Sequence, residues 1–342
     1  MKNSYQAIQA SALGKLELVV RTVPTPNKDE VLIAVEACGI CGADAMTIEN
    51  PNPDSFPRIP GHEVVGRIVA IGNPDSNYWK IGQRVGVGRL GGHCNLCDEC
   101  RQGLFNLCNN QPIMGSTHDG GYAEMMMAKQ TGLVSIPDEL SSVEAAPLLC
   151  AGIATFNALK KSGAQAGDTV AIFGIGGLGH LAIQYARRMG FRVVAIGRGQ
   201  DIAELTHDLG AHIYIDTQLE NAVDRLKELG KAQVILSTIT NGEISSALFA
   251  GLIPQGKLIV VGVGKEPLVI SSPLLVGGER TVQGSITGTP YEVEKTLNFS
   301  LLTDVRAMIE TYPLEQAHEA YTKVRTGKVE FRAVLTTSHF AH

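Results

Sequence analysis

The stretch from Cys38 to Glu63 carries side chains that could bind a metal ion. It begins with the sequence CGICGAD and ends with GHE. Thiol, imidazole and carboxylate groups are ligands that a divalent zinc ion accepts. We therefore hypothesise that Cys41 and His62 hold a catalytic metal ion and that Cys150 completes the ligand set. The alternative interpretation is that these residues are ordinary buried members of a protein core.

A second group of thiols is spaced more closely. Two residues separate Cys94 from Cys97 and Cys97 from Cys100, and Cys108 follows after seven more. Four thiolates can close a tetrahedron around one zinc ion, which leaves no position for a substrate. We therefore predict a structural zinc ion that orders a looped-out lobe over residues 94–108. An iron–sulfur cluster is the alternative occupant.

A glycine-rich segment predicts a nucleotide-binding loop. Asp168–Phe173 has the pattern of a buried strand, and His180–Met189 has that of a helix. Between them lie Gly174, Ile175, Gly176, Gly177, Leu178 and Gly179. In this context the first, third and sixth residues permit a tight turn, close approach to a pyrophosphate and close helix packing. The N-terminus of the helix then faces the phosphates.

The end of the next predicted strand, Arg192–Ile196, bears on the choice of cofactor. An acidic residue there would bind the ribose hydroxyl groups of NAD, but the sequence has Gly197 followed by Arg198. Asp201 lies farther on and is expected to cap the helix that it begins. A glycine and an arginine leave room and positive charge for a 2′-phosphate. We therefore predict a preference for NADP(H) over NAD(H).

The pattern of elements indicates an α/β fold with two domains. Residues 1–152 contain mainly short alternating strands separated by glycine and polar turns. Residues 153–284 alternate strands and helices, which is typical of a parallel, doubly wound sheet. Residues 285–342 are expected to return to the first domain. Arg332, in a final predicted strand, is a candidate cofactor contact.

Composition and charge exclude several classes of protein. The chain has 342 residues, 44% of them hydrophobic and 18% charged, which is typical of a globular protein with two domains. Its formal net charge of −5 argues against a nucleic-acid partner. No apolar run predicts a membrane span or a signal peptide. Seven cysteines in such a chain favour metal binding over disulfides, so we expect a cytoplasmic protein.

Together, these motifs resemble those of the zinc-dependent medium-chain alcohol dehydrogenases, particularly the bacterial and plant branch of cinnamyl-alcohol-type enzymes. The likeness covers nearly the whole chain. It rests on CGIC from Cys38, GHEVVG from Gly61, the 94–108 lobe, AAPLLCAG from Ala145, and the Gly174–Gly179 loop. The resemblance implies a GroES-like catalytic domain split around a Rossmann domain, and a homodimer or homotetramer.

The resemblance also implies individual roles. Cys41, His62 and Cys150 would bind the catalytic zinc ion, which makes two zinc ions per chain together with that of the lobe. Glu63 would be able to approach the metal, and Asp44 would fix the tautomer of the histidine. The implied reaction is hydride transfer between NAD(P)(H) and a primary alcohol or aldehyde, with zinc as a Lewis acid.

Two positions depart from the family pattern. The family normally has Ser or Thr where this chain has Ala43, and many relatives have a histidine where it has Met46. Those residues relay the proton of the alcohol, which neither side chain here can do. Water, or another group such as Thr47, would have to replace the relay, or the enzyme would be slow.

Two alternative functions remain open at this point. One is a polyol or sugar dehydrogenase of the same superfamily, although such enzymes commonly have glutamate at the position of Cys150. The other is a zinc-stabilised NADP(H)-binding protein without turnover, a redox-sensing or scaffold module, with which the loss of the relay at Ala43 is compatible. Zinc content per chain and turnover with a panel of aldehydes distinguish these alternatives.

Overall fold

The computed structural model describes residues 3–73 and 78–339 and divides the chain into two compact units. Unit 1 comprises Met1–Ala151 and Gly288–His342, and unit 2 comprises Gly152–Thr287. The boundaries expected from the sequence, after residues 152 and 284, differ from these by one residue and by three residues.

The secondary-structure elements are numbered in chain order. The strands are β1 Ser4–Ala12, β2 Lys15–Thr22, β3 Glu30–Ile40, β4 Val64–Ile71, β5 Arg84–Val87, β6 Met125–Lys129, β7 Leu133–Ser135, β8 Thr169–Phe173, β9 Arg192–Gly197, β10 Ile213–Asp216, β11 Ala232–Ser237, β12 Leu252–Val260, β13 Thr281–Gly284, β14 Ile309–Pro313 and β15 Arg332–Thr336. The helices are α1 Ala45–Ile48, α2 Asp98–Arg101, α3 Ser142–Ala145, α4 Ala151–Lys160, α5 Gly179–Arg188, α6 Ala203–Asp208, α7 Ala222–Glu228, α8 Gly242–Ala247, α9 Ser272–Gly277, α10 Pro290–Thr303 and α11 Ala317–Arg325.

Unit 1 is built on a seven-stranded sheet whose central strand is β3. The strand order is β14-β15-β3-β4-β5-β7, and β6 also pairs with β3. Ten of the eleven residues of β3 are buried, and its alternating Val31, Ile33 and Val35 belong to the unit 1 core. β1 and β2 form a separate antiparallel pair.

The C-terminal segment belongs to this same sheet. β15 pairs antiparallel with β3, so that Leu335 lies opposite Cys38. β14 then adds to β15 in parallel. Apolar residues of the segment, including Tyr312 and Ala320, are part of the unit 1 core. The tail therefore places its residues directly beside the strand that leads to Cys41.

Unit 2 contains the predicted doubly wound sheet, which is confirmed. Its six strands are all parallel and have the order β10-β9-β8-β11-β12-β13. The order reverses between β8 and β11, and ligands bind at such switch points in open α/β sheets. The central strands β8, β9 and β11 are mainly apolar and buried, as expected when helices cover both faces of a parallel sheet.

One predicted helix end in unit 2 is wrong. The sequence favours a helix over Glu243–Leu252, but α8 ends at Ala247 and a 3₁₀ turn follows over Leu248–Gly251. β12 accordingly begins at Leu252. The turn carries buried apolar side chains, which continue the helical pattern past the end of the helix. Periodicity alone therefore could not locate that end.

No single helix among residues 3–73 and 78–339 is long and apolar enough to cross a membrane. The two helical segments Ser142–Leu149 and Ala151–Lys160, which meet at a bend, satisfy this test of length and composition only when they are counted together. Nine of the ten residues of α4 are buried in the protein, which is typical of a core helix.

Candidate functional site

Four potential metal-binding side chains from three separate segments meet in unit 1. Each of Cys41, His62, Glu63 and Cys150 offers one ligand atom, and these atoms all lie within 4.8 Å of one another. The Sγ atoms of Cys41 and Cys150 are 4.0 Å apart, although 109 positions separate the residues in sequence. Two sulfurs and an imidazole form a donor set that zinc accepts. The structure therefore brings together the three residues that were predicted to bind the catalytic zinc.

The two thiols lie at the ends of buried elements. Cys41 follows β3 and is the N-cap of the 3₁₀ turn Gly42–Asp44. Cys150 follows the 3₁₀ turn Ala146–Leu149 and directly precedes α4. All four residues of the latter turn are buried. Both thiols are therefore anchored on packed backbone, as a precise ligand site requires.

Glycines beside the cluster leave space that its side chains occupy. Gly61, which precedes His62, has φ of +100°, and a Cβ there would lie 2.4 Å from the ring of Tyr122. A Cβ on Gly39 would lie 1.9 Å from a carboxylate oxygen of Glu63. Only glycine permits such close approaches. The glycines in the CGIC and GHE motifs therefore serve the packing of the cluster.

The imidazole of His62 has one oriented nitrogen and one unpartnered nitrogen. Its Nδ1 lies 2.9 Å from Oδ1 of Asp44, the contact that the resemblance implied. Its Nε2 is buried and has no hydrogen-bond partner among the described residues. A buried polar atom without a partner is costly, and a metal ion bound to Nε2 would remove that cost. The residues present therefore fit a zinc ion.

Asp44 is itself held by further donors. Its Oδ2 accepts hydrogen bonds from the backbone N–H of Cys41 and from the hydroxyl of Tyr122, both at 2.9 Å. The carboxylate is buried. Because both of its oxygens are engaged, its orientation toward His62 is fixed, and this selects the tautomer with the proton on Nδ1.

Burial and neighbouring charge shift the protonation of the cluster. Burial opposes the charged form of His62, but the Asp44 carboxylate and Cys41 together outweigh burial and raise the pKa of the imidazole well above its usual value. A hydrogen bond from Cys150 lowers the pKa of Cys41 well below its usual value. The same hydrogen bond raises the pKa of Cys150. Cys41 is therefore the thiol that ionises first, and the thiolate is the form that binds a metal.

Glu63 forms a buried ion pair with Arg332. The two residues are 0% and 3% exposed, and a guanidinium nitrogen lies 2.5 Å from the carboxylate. Burial raises the pKa of Glu63 to about 7, although Arg332 opposes the shift. The structure pairs Arg332 with Glu63, and the cofactor contact expected from the sequence stays a prediction. The ion pair forms because β15 pairs with buried β3, which places Arg332 inside unit 1.

Cys38 stands outside the cluster. It is buried, and burial raises the pKa of its thiol well above the usual value. Its Sγ donates to its neighbour's carbonyl, that of Gly39, at 3.6 Å. The group of side chains that meet at Cys41, His62 and Cys150 does not include Cys38. Position therefore favours Cys41 over Cys38 as the ligand.

The cysteines of the 94–108 lobe form a second cluster. Their ligand atoms all lie within 4.8 Å of one another: Cys94, Cys97, Cys100 and Cys108. The Sγ of Cys94 accepts hydrogen bonds from the Asn110 amide and from the backbone N–H groups of Leu96 and Cys97. These bonds, that of Asn110 first, lower the pKa of Cys94 to about 5. Leu96 is 81% exposed, so the lobe has little core of its own.

The positions of the missing proton relay offer no hydroxyl group. The backbone N–H of Ala43 donates to Cys41 Sγ at 3.5 Å, and the side chain of Met46 is 58% exposed. Thr47, the suggested substitute, is buried and donates its hydroxyl proton to the carbonyl of Gly115 at 2.6 Å. That proton is therefore engaged elsewhere.

The loop between β8 and α5 has the form of a phosphate-binding turn. Gly174 has φ of +91°, a conformation that favours glycine. A Cβ on Gly176 would meet no atom within 4 Å, so its backbone is open to approach. A Cβ on Gly179 would lie 1.9 Å from the carbonyl oxygen of Gly174, so α5 packs directly on the turn. Each glycine has the environment that its predicted role requires.

A side chain at the end of β9 would require its neighbours to shift. Gly197 is buried, and a Cβ there would lie 2.8 Å from the Ile175 side chain and 3.0 Å from that of Tyr214. Arg198, the next residue, is exposed. Asp201 does not cap the following helix as predicted, because α6 begins at Ala203 and has no side-chain capping bond.

Two residues that shape these sites were missed in the sequence. Asp216, at the end of β10, accepts hydrogen bonds from the backbone N–H groups of Gly199 and Gln218, and so holds the loop after β9. Its signal was available, since carboxyl ends of parallel neighbouring strands meet at one edge of a sheet. Tyr122 had no such signal. It lies in a glycine-rich stretch without periodicity, far in sequence from Asp44.

Two family models match the chain. The alcohol dehydrogenase GroES-like domain matches residues 27–138, which lie in unit 1. The zinc-binding dehydrogenase model matches residues 177–301, which cover most of unit 2 and the beginning of the C-terminal segment. Together the two matches cover more than half of the chain.

Curated proteins and solved structures resemble the chain over nearly its whole length. It is 40% identical to alcohol dehydrogenase patD of Penicillium expansum, with 94% of this chain and 93% of the relative covered. It is 33% identical to aldehyde reductase AdhA of Synechocystis sp., with 99% of both covered. The structure of acetophenone reductase from Geotrichum candidum in complex with NAD has a TM-score of 0.87 at 25% identity, with 98% of both chains covered.

Proposed function

The chain belongs to the zinc-binding alcohol dehydrogenase family, and we propose that Cys41, His62 and Cys150 hold its catalytic zinc ion. It is an oxidoreductase that interconverts alcohols and aldehydes with a nicotinamide cofactor. The observation that carries the proposal is the buried, unpartnered Nε2 of His62, on a ring that offers a nitrogen within 4.8 Å of both sulfurs.

Each residue of the cluster has a distinct task in this proposal. A bound zinc ion supplies a Lewis acid that acidifies an alcohol and polarises an aldehyde carbonyl. Cys41 and Cys150 provide sulfur ligands, and Asp44 keeps the proton of His62 on Nδ1 so that Nε2 is free to bind the metal. Three protein ligands leave a fourth position for the substrate oxygen.

Glu63 is proposed as a residue that approaches the metal at some stage of turnover. The support is its position, since one of its oxygens lies within 4.8 Å of the other ligand atoms. Its carboxylate is engaged by Arg332, so any approach requires this ion pair to loosen. Gly39 provides the space in which the carboxylate lies.

A second zinc ion is proposed for the four thiols of the 94–108 lobe. Four thiolates complete a tetrahedral shell, so this ion orders the lobe and takes no part in the reaction. Zinc analysis of the purified protein is expected to give two ions per chain. If the protein holds one zinc ion per chain and Cys41→Ser does not change that number, the proposal for the catalytic site is refuted.

For the cofactor, we propose a preference for NADP(H). The packing of Ile175 and Tyr214 around Gly197 disfavours the acidic residue that would bind a ribose hydroxyl and repel a phosphate. Arg198 adds positive charge on the loop that Asp216 holds. Since the acetophenone reductase structure contains NAD, membership of the family does not decide the matter.

Steady-state kinetics with both cofactors test this preference. We expect a lower KM for NADP⁺ than for NAD⁺, and in Arg198→Gln a rise of about tenfold in KM for NADP⁺ alone, because a charged contact to phosphate is lost. A much lower KM for NAD⁺ in the unmodified enzyme would contradict the proposal.

Primary alcohols and their aldehydes are the proposed substrates. An absorbance assay at the nicotinamide band with a panel of aldehydes and alcohols tests this assignment directly. Turnover that requires zinc and favours primary over secondary substrates is the expected result. A protein that binds cofactor and zinc but turns over no member of the panel would contradict it.

The enzyme is further proposed to be a cytoplasmic homodimer or homotetramer. All seven cysteines are free thiols, which suits a reducing compartment. Unit 2 has β13 at the edge of its sheet and exposed apolar side chains at Val263, Val269 and Val276, as expected of a surface that another copy covers. Light scattering that gives the mass of a monomer would exclude the oligomer.

A further inference from the structure

Tyr122 lies behind the proposed catalytic site, two hydrogen bonds from its metal ligand. The Tyr122 hydroxyl donates to Oδ2 of Asp44 at 2.9 Å, and Oδ1 of Asp44 lies 2.9 Å from Nδ1 of His62. Tyr122 is fully buried. The chain Tyr122–Asp44–His62 is therefore a continuous polar connection through the core of unit 1 that ends at the unpartnered Nε2.

The backbone around Tyr122 is built to place this hydroxyl. The segment Gly120–Tyr122 runs beside the segment Ile59–Gly61, which precedes His62. Its three N–H groups donate to carbonyl oxygens at 2.7, 3.1 and 3.0 Å: Gly120 to Ile59, Gly121 to Gly61, and Tyr122 to Pro60. A Cβ on Gly120 would lie 2.0 Å from the carbonyl oxygen of Gly61. The two segments lie this close only because glycine precedes the tyrosine.

We propose that Tyr122 is a positioning residue for the catalytic zinc, because its hydroxyl fixes the rotation of the Asp44 carboxylate and thereby the ring of His62. The inference rests on the assignment of His62 as a zinc ligand. Without the hydroxyl, Oδ2 would keep only the hydrogen bond from the Cys41 N–H. The carboxylate could then turn and the imidazole would be less well aligned.

The rate of zinc release tests the proposal without relying on activity. Tyr122→Phe removes the hydroxyl and keeps the ring that packs on Gly61. A zinc indicator follows the release of zinc into excess chelator. We expect the catalytic zinc to leave Tyr122→Phe about tenfold faster than it leaves the unmodified protein. This is the lower end of the effect of removing an outer partner of a metal-bound histidine. Release from the lobe is expected to stay unchanged. Tyr185→Phe, at a fully buried tyrosine of unit 2, is the matched control.

A double-mutant cycle separates positioning from general stability. Asp44→Asn should release the catalytic zinc faster than Tyr122→Phe, and the double variant should be no faster than Asp44→Asn alone, because both residues act through one connection. kcat should fall with zinc occupancy while KM for the cofactor stays constant. Effects that multiply in the double variant would overturn the proposal.

Other outcomes are equally decisive. If the unmodified protein holds two zinc ions and Tyr122→Phe releases both at the original rates, the positioning role is wrong while the zinc site stands. If the unmodified protein holds one zinc that Cys41→Ser does not remove, the zinc assignment itself fails. If Tyr122→Phe does not fold while Tyr185→Phe does, the hydroxyl serves the fold and the proposal is overturned.

Discussion

The two cysteine clusters hold their side chains by different means. The lobe cluster lies within residues 94–108, and its sulfurs accept hydrogen bonds from nearby backbone, such as the N–H of Leu96. The other cluster joins Cys41 to Cys150, which are 109 positions apart. A local cluster can form as soon as metal binds, whereas the distributed cluster exists only after unit 1 has folded. The lobe therefore depends on its ion, and the distributed site depends on the fold.

The clusters also differ in the charges that surround them. Buried ionisable groups lie behind the distributed cluster, namely Asp44 and the pair Glu63–Arg332. In the lobe, Asp98 and Glu99 are among the charged residues, and neither is buried. Burying charge costs folding free energy unless each charge has a partner. Assembly of the reactive site therefore costs more folding free energy than assembly of the lobe.

The largest expected effect comes from breaking one cluster at a time. Cys41→Ser should remove one zinc ion and lower kcat/KM by on the order of 10³-fold, since a Lewis acid contributes several kcal/mol to such a reaction. Cys100→Ser should remove the other ion and lower the melting temperature by roughly 5–10 °C. Zinc analysis, kinetics and thermal unfolding of both variants measure the contrast. Equal loss of activity in the two variants would remove the distinction between the clusters.

The ion pair behind the distributed cluster should have the next largest effect. Arg332→Met leaves the Glu63 carboxylate buried without a partner, which should cost about 3–5 kcal/mol of unfolding free energy. The double variant with Glu63→Gln should recover much of that loss. Urea unfolding measures both, and a loss that the second substitution does not recover would show that Arg332 acts through some other contact. The cofactor affinity of the same variants tests whether Arg332 also contacts the cofactor, as the sequence predicts.

The cost of that substitution should depend on pH. The pKa of Glu63 is raised to about 7 by burial, above its unfolded value of about 4.3. A carboxyl group with a raised folded pKa stabilises the fold less as pH rises through that interval. The destabilisation in Arg332→Met should therefore be larger at pH 8 than at pH 5, where Glu63 is protonated. A loss of stability that is equal at both values would contradict this assignment of charge.

The smallest expected effect concerns the missing relay at Ala43. Alcohol oxidation by the unmodified enzyme should be poor at neutral pH and improve with base. Ala43→Thr should raise the rate at pH 7 by about tenfold, which is less than the roughly 10²-fold or more that positioned proton transfer contributes, because Met46 still interrupts the path. Ala43→Val has a similar shape without the hydroxyl and serves as the control. No gain in the threonine variant, or the same gain in both, would count against the relay argument.

Residue types and spacing were sufficient for part of this structure. The doubly wound sheet followed from alternating elements, and the family resemblance is confirmed by the matching family models. The thiols of the lobe were visible in their spacing alone. Cys41, His62 and Cys150 could be suggested as a set from their residue types, but the resemblance was needed to assign them as ligands, because no local pattern joins positions so far apart.

What the sequence did not reveal depends on contacts between distant segments. The pairing of β15 with β3 places Arg332 beside Glu63, and no periodicity in either strand indicates that register. Tyr122 reaches Asp44 through backbone pairing with the segment before His62. The end of α8 was misplaced because apolar residues continue into a turn. These are tertiary effects that local propensity does not encode.

Anomalous diffraction at the zinc edge, from crystals of the protein as purified, tests the central claim most directly. We expect two peaks per chain. One should lie about 2.3 Å from the sulfurs of Cys41 and Cys150 and about 2.0 Å from Nε2 of His62, and the other among the four thiols of the lobe. A single peak in the lobe, with no density beside His62 in zinc-replete crystals, would contradict the account.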